Sequence, residues 1–153
     1  MAKPARAAIE EMPLYERDYA RWAEEQGRKL RARSVAEIDW DNVAEEIESL
    51  GRTDKRSIDS NLAVLLLHLL KWQVQPEKRK GGWRSSIVEH RHRIAKLVRE
   101  SPSLRSYPAE ALVEEYGFAR AKAIDETGLP ETAIPRECPF AIEDVLDRDF
   151  WPE

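Results

Sequence analysis

The sequence predicts an all-α fold, a four-helix-bundle-like single domain closed by a C-terminal proline-rich strap. Three observations predict it. Apolar residues recur at three-and-four spacing in four separate segments, the connections between those segments are short and marked by proline or glycine, and no stretch alternates with period two. A chain of 153 residues suits one domain, and 42% hydrophobic residues with five tryptophans suffice for a core. The 35% charged fraction exceeds the usual quarter, so the helices must present heavily charged outer faces. Fibrous and disordered classes are excluded on composition; functional classes are not.

Residues 1–14 read as a flexible arm and 15–153 as the helical domain. Tyr15, Tyr19, Trp22, Gln26 and Leu30 place an aromatic stripe on a helix from about Leu14 to Arg33. Asp39 is a good N-cap for the next helix, with Glu37, Asp41 and Glu45 near its positive dipole end. Val43, Ile47 and Leu50 begin its apolar stripe, and Ile58, Leu62, Leu65, Leu69 and Trp72 continue it. Ile47 and Ile58 are eleven residues apart, which keeps both stretches on one face. One long helix to about Gln75 follows, with Gly51 as its candidate kink. Between Leu62 and Leu70 it is apolar on nearly every side, as a central core helix must be.

Pro76 to Gly82 turns the chain back into a third helix, whose stripe of Trp83, Ile87, His90, Ile94 and Leu97 runs until Pro102. Pro108 suits the first turn of a fourth helix bearing Leu112, Tyr116, Ala119 and Ala123, and Gly128 its C-terminal cap. Pro130, Pro135 and Pro139 mark the strap, which leads to a helical turn around Phe140 to Leu146 and a tail with Phe150 and Trp151.

Cys138 is the only cysteine, so no intramolecular disulfide or cysteine-rich zinc site can form, and a reducing cytoplasm is the expected location. Leu62 to Leu70, the longest apolar run, spans nine residues against the roughly 20 a membrane helix needs, so no membrane partner is expected. The charged start of the chain lacks a signal-peptide core.

Quoted in chain order, Tyr15 with Asp18 and Trp22, Glu45-Glu46-Ile47-Glu48-Ser49-Leu50-Gly51, His68-Leu69-Leu70-Lys71-Trp72, Gln75-Pro76, Trp83 with Ile87, Ser101-Pro102-Ser103-Leu104-Arg105, Glu126-Thr127-Gly128-Leu129 and Cys138-Pro139 form a pattern. That pattern resembles the bacterial family known as domain of unknown function 29, from about Tyr15 to Pro152. Gly82 stands where the family usually has serine, and His90 where it more often has glutamine. The resemblance implies an all-helical bacterial protein and carries over no reaction or catalytic residue.

Charge is the most uneven feature. From Lys71 to Arg99 nine basic residues face two acidic ones, a net of +7, which leaves −11 for the rest of a chain whose total is −4. Lys71, Lys78, Arg79, Lys80, Arg84 and Arg91 are the candidate anion-binding residues, bracketed by Trp72 and Trp83, since cations interleaved with aromatics suit anionic ligands. The competing explanation is neutralisation by acidic parts of this chain or of a second copy. His68 and His90 flank the hairpin at similar depth; hydrogen-bonded core histidines are the plainer reading. Together with Glu45 and Glu48 they form an alternative divalent-metal set, although Glu45 and His68 lie about 34 Å apart on a straight helix. No glycine-rich phosphate loop or nucleophile elbow is present.

The function expected is a non-enzymatic helical binding or assembly module without a cofactor. Its partner would be another protein or a second copy, a homodimer pairing acidic and basic faces, or an anionic ligand at the basic hairpin. The alternative is a metal-assisted hydrolase of a phosphate-containing substrate, with His68, His90, Glu45 and Glu48 around a divalent metal.

Overall fold

Helices α1 (Leu14–Arg17), α2 (Tyr19–Arg31), α3 (Trp40–Val74), α4 (Gly81–Glu100), α5 (Tyr107–Thr127) and α6 (Ile142–Leu146) build the computed structural model, which describes residues 12–153. No strand occurs among the described residues, and the chain is all-α. The arm expected over residues 1–14 lies outside the described residues up to position 11, and Leu14 is already helical. The chain divides into two compact units, one ending at Gly51 and one from Arg52 to Glu153.

In the first unit the expected single helix is broken at Asp18. Its backbone leaves the helical region (φ −151°, ψ 83°), and its carboxylate accepts the Arg21 N–H at 3.1 Å, so the side chain caps a new helix instead of continuing the old one. The aromatic stripe survives the break, with the Tyr15 and Trp22 rings 4.7 Å apart. Arg33 stands at φ 55° beyond the end of α2, where Ser34 N–H reaches the Lys29 carbonyl and Arg33 N–H the Leu30 carbonyl. This is a Schellman stop without its usual glycine.

Trp22, Ile38 and Val43 are the buried core of this unit, with Leu14 and Tyr15 packed against it. Asp39 ties it together: its carboxylate accepts from Trp22 Nε1 at 3.0 Å and Asn42 Nδ2 at 2.8 Å, and its N–H donates to Gln26 Oε1 at 2.9 Å. Hydrogen bonds from the Asn42 side chain first, then from Trp22, hold the Asp39 carboxyl below its ordinary value despite the opposing effect of burial. The N-cap expected at Asp39 is thus in place. Tyr15 and Tyr19 donate to the two oxygens of Glu46 at 2.5 and 2.7 Å. These contacts all fall on one side of α3. Ile47 and Leu50, expected on a covered seam, are 64% and 68% exposed. So few apolar side chains cover the flank bearing Val43 and no more.

The second unit holds the main core. Leu62, Leu65, Leu66, Leu69 and Leu70 of α3 are fully buried and cluster with Ile87 and Ile94 of α4 and with Tyr116, Ala119 and Ala123 of α5. α3 runs through Gly51 without interruption and stops at Gln75 and Pro76. Gly128 caps α5 at φ 67°, as its sequence position predicts. The strap lies on this core: Ile134, Phe140 and Val145 are buried, Tyr116 Oη donates to the Pro135 carbonyl at 2.6 Å, and Arg120 donates to the carbonyls of Glu131, Ile134 and Pro135.

Candidate functional site

The six candidate anion-binding cations of the basic hairpin take four different roles. Lys71 is drawn inward, its Nζ 2.7 Å from Glu126 Oε2 and 4.8 Å from the Trp83 ring centre. Arg79 is a clamp, donating from Nε to the Trp72 carbonyl at 2.8 Å and from Nη2 to the Pro152 carbonyl at 3.2 Å. Lys78 and Lys80 are exposed at the turn. Arg84 and Arg91 leave the tip and converge on Trp151, their guanidinium carbons 4.6 and 5.5 Å from its ring centre. The tip disperses because backbone carbonyls and indole faces of the folded-back tail offer partners that water-exposed cations would lack.

Arg84 and Arg91 open instead onto a groove of about 570 Å³ between α4 and the segment from Leu146 to Trp151. From α4 it takes Arg84, Val88, Arg91, His92, Ala95 and Arg99; from the tail, Leu146, Arg148, Asp149 and Trp151. A second hollow of about 420 Å³ shares Arg91, Ala95, Arg99 and Leu146 and adds Arg105, so the cationic lining extends past the end of α4. Asp149 is the only acidic residue in either lining.

Arg91 is 3% exposed beneath this groove. Its Nε donates to the Val145 carbonyl at 2.8 Å and Nη2 to the Asp144 carbonyl at 3.4 Å, while Nη1 is buried with no hydrogen-bond partner. Burial pulls this guanidinium below its ordinary value, and the Asp147 carboxylate opposes the shift. A guanidinium stays protonated in a protein, so Arg91 puts a fixed positive charge under the floor.

His68 and His90 sit in different surroundings. His68 Nδ1 donates to the Val64 carbonyl at 2.8 Å, with Ser86 Oγ 3.4 Å away. His90 is half-buried with no partner for Nδ1; burial first, then the charges of Arg93 and His68, lower its pKa against the pull of Glu89. Glu45 and Glu48 belong to the first unit and the histidines to the second, and no group of three or more His, Cys, Asp or Glu side chains able to hold a metal occurs among the described residues. Cys138 donates to the Phe140 carbonyl at 3.4 Å, and burial pushes its thiol up, away from nucleophilic use.

A third hollow of about 590 Å³, between α3 and α5, is lined by Asp59, Glu114 and Glu115 together with Arg56, Ser60, Ala63, Val64 and Phe118. Acids outnumber bases there, the reverse of the arginine groove.

Sequence reasoning reached Arg84 and Arg91 and missed His92, Arg99, Arg105, Arg148 and Trp151. Arg84, Val88, Arg91, Ala95 and Arg99 recur at four-three-four-four spacing on α4, a legible signal. The tail residues carry none, since only folding brings them beside α4. No helix among the described residues is long and apolar enough to cross a membrane. Neither the curated proteins nor the solved structures contain a significant match to this chain. The family described as domain of unknown function DUF29 matches residues 14–151, nearly the whole length, and the chain belongs to that family.

Proposed function

We propose that the protein is a non-enzymatic binding module that holds an anionic partner in the groove between α4 and the C-terminal segment. The observation that carries this reading is Arg91, a nearly fully buried cation with an unpaired Nη1 under a groove lined by further arginines and a single acid. A buried cation with one unpaired donor is costly, and an anion held in the groove offsets part of that cost. Val88, Ala95, Leu146 and the Trp151 indole give the groove apolar walls, so an anion attached to an apolar body suits it better than a bare ion. The same reading places the protein in the bacterial cytoplasm, where its one half-buried thiol stays reduced.

Titration with polyglutamate, followed by tryptophan fluorescence and calorimetry, tests the proposal. Binding should weaken steeply as salt rises and should drop at least tenfold in an Arg84→Ala/Arg99→Ala variant that keeps its helical circular dichroism. Affinity indifferent to both salt and the double substitution would refute the groove as the binding surface.

A further inference from the structure

We propose that the ligand of the arginine groove is a single aliphatic chain ending in a phosphate monoester, an inference that rests on the anion-binding reading of the groove. The groove and the hollow of about 420 Å³ share Arg91, Ala95, Arg99 and Leu146, so they adjoin along one wall. Their chemistry differs. The hollow is lined by Ile94, Ala95, Val98, Pro102, Pro108 and Leu146 together with arginines, so its side chains offer no hydrogen-bond acceptor at all. A sugar, a nucleobase or a peptide backbone laid there would leave its own donors without a side-chain partner, whereas an aliphatic chain has none to satisfy. The lining follows α4 from Arg91 to Arg99, about 12 Å at 1.5 Å per residue. It continues to Pro108 in the first turn of α5, which makes it a trough for an extended chain.

The cations beside the trough have not been spent on other contacts. The side chains of Arg99, Arg105 and Arg148 are exposed and take part in no hydrogen bond or ion pair among the described residues. The two acids of α4 pair with other bases, Glu89 with Arg93 at 2.5 Å and Glu100 with Lys96 at 3.8 Å. Arg91, 3% exposed with Nη1 unpaired, belongs to both linings. Four arginines against Asp149 leave the groove lining at a formal +3 with His92 neutral. A phosphate monoester carries about −1.5 to −2 at neutral pH and three acceptor oxygens, a closer match than the single charge of a carboxylate, and guanidinium forks suit those oxygens. The Trp151 ring already packs against Trp72, 5.0 Å away, and against the Arg84 and Arg91 guanidiniums, so it walls the groove and leaves no free face for a stacked base.

Calorimetry of the full chain with butyl, hexyl, octyl and decyl phosphate, each below its micelle-forming concentration, tests the proposal. Affinity should rise roughly three- to fourfold per added CH₂ until the trough is filled. Decanol and inorganic phosphate, each holding half of the chemistry, should bind about tenfold or more weakly than decyl phosphate, with decanoate in between. Arg99→Gln/Arg148→Gln, with helicity retained, should weaken the whole series by a common factor. Ala95→Trp, which adds bulk at an exposed position on the shared wall, should flatten the dependence on chain length. Sedimented vesicles containing phosphatidate should leave the protein in solution, because the trough takes one chain at a time. Affinity independent of chain length, decanol, decanoate or inorganic phosphate equalling decyl phosphate, a series unchanged in either variant, or cosedimentation with the vesicles would each overturn the inference. Polyglutamate separates the two proposals: if it binds and decyl phosphate does not, only the alkyl phosphate is wrong, and if neither binds, the anion-binding reading falls as well.

Discussion

His90 shows how one side chain gives the fold a pH response. Its imidazole is half-buried with no partner for Nδ1, and burial lowers its pKa below the ordinary 6.5 or so. The unfolded chain therefore binds a proton at about pH 6.5 where the folded chain resists, so stability is full above that value and is lost as pH falls through the window beneath it. Thermal melts between pH 5 and 7.5 should show the parent protein losing Tm on acidification. His90→Gln, which cannot be protonated in this range, should lose less. An equal loss in both would place the acid sensitivity elsewhere. The stripe of Trp83, Ile87, His90 and Ile94 put this histidine on an inward face from sequence alone. That Nδ1 ends without a partner is a matter of atomic placement that no spacing encodes.

At the level of elements, periodicity located the long helices, and their punctuation worked where it used ordinary signals: Asp39 and Gly128 as caps, Pro76 and Pro102 as stops. It failed where the capping chemistry was atypical, at Asp18 in mid-stripe and at Arg33 in a left-handed position that glycine usually fills. The basic hairpin divides in the same manner. Lys78 and Arg79 are neighbours of equal charge, yet only Arg79 donates two hydrogen bonds to carbonyls, one of them at Pro152, and packs 5.0 Å from the Trp72 ring centre. Trp72 in turn lies 5.0 Å from Trp151. Arg79→Ala should cost about 1.5–3 kcal/mol, the range for a hydrogen bond to a charged group, and should loosen the tail that carries Trp151. Lys78→Ala should change stability by less than about 0.5 kcal/mol. Urea unfolding of the two variants side by side checks the contrast, and equal midpoints would show that the clamp does not hold the tail.

For the whole molecule, the sequence made the separation of charge legible and left its use hidden. The basic block from Lys71 to Arg99 runs from the last turn of α3 through the connection into α4, but the groove also needed Arg148 and Trp151, which no pattern linked to α4. The division at Gly51 showed in the sequence only as a candidate kink, because the eleven residues from Ile47 to Ile58 keep the two apolar stretches of α3 on one face. What changes there is the supply of side chains to cover the stripe. The first unit buries Trp22, Ile38 and Val43, while the second buries a leucine-rich cluster drawn from α3, α4, α5 and the strap. Buried apolar area supplies most of the driving force for folding, and segments with little of it open locally at lower free energy than the core. Amide exchange should therefore be graded along the chain: the amides of α2 should exchange through local opening, well ahead of those from Leu62 to Leu70, which should exchange only on global unfolding. Native-state exchange in low urea distinguishes the two routes, since global opening accelerates with denaturant and local opening barely responds. Protection in α2 matching that of the leucine segment, with the same urea dependence, would mean that the small core around Trp22 unfolds only with the large one and that the two units form one cooperative structure.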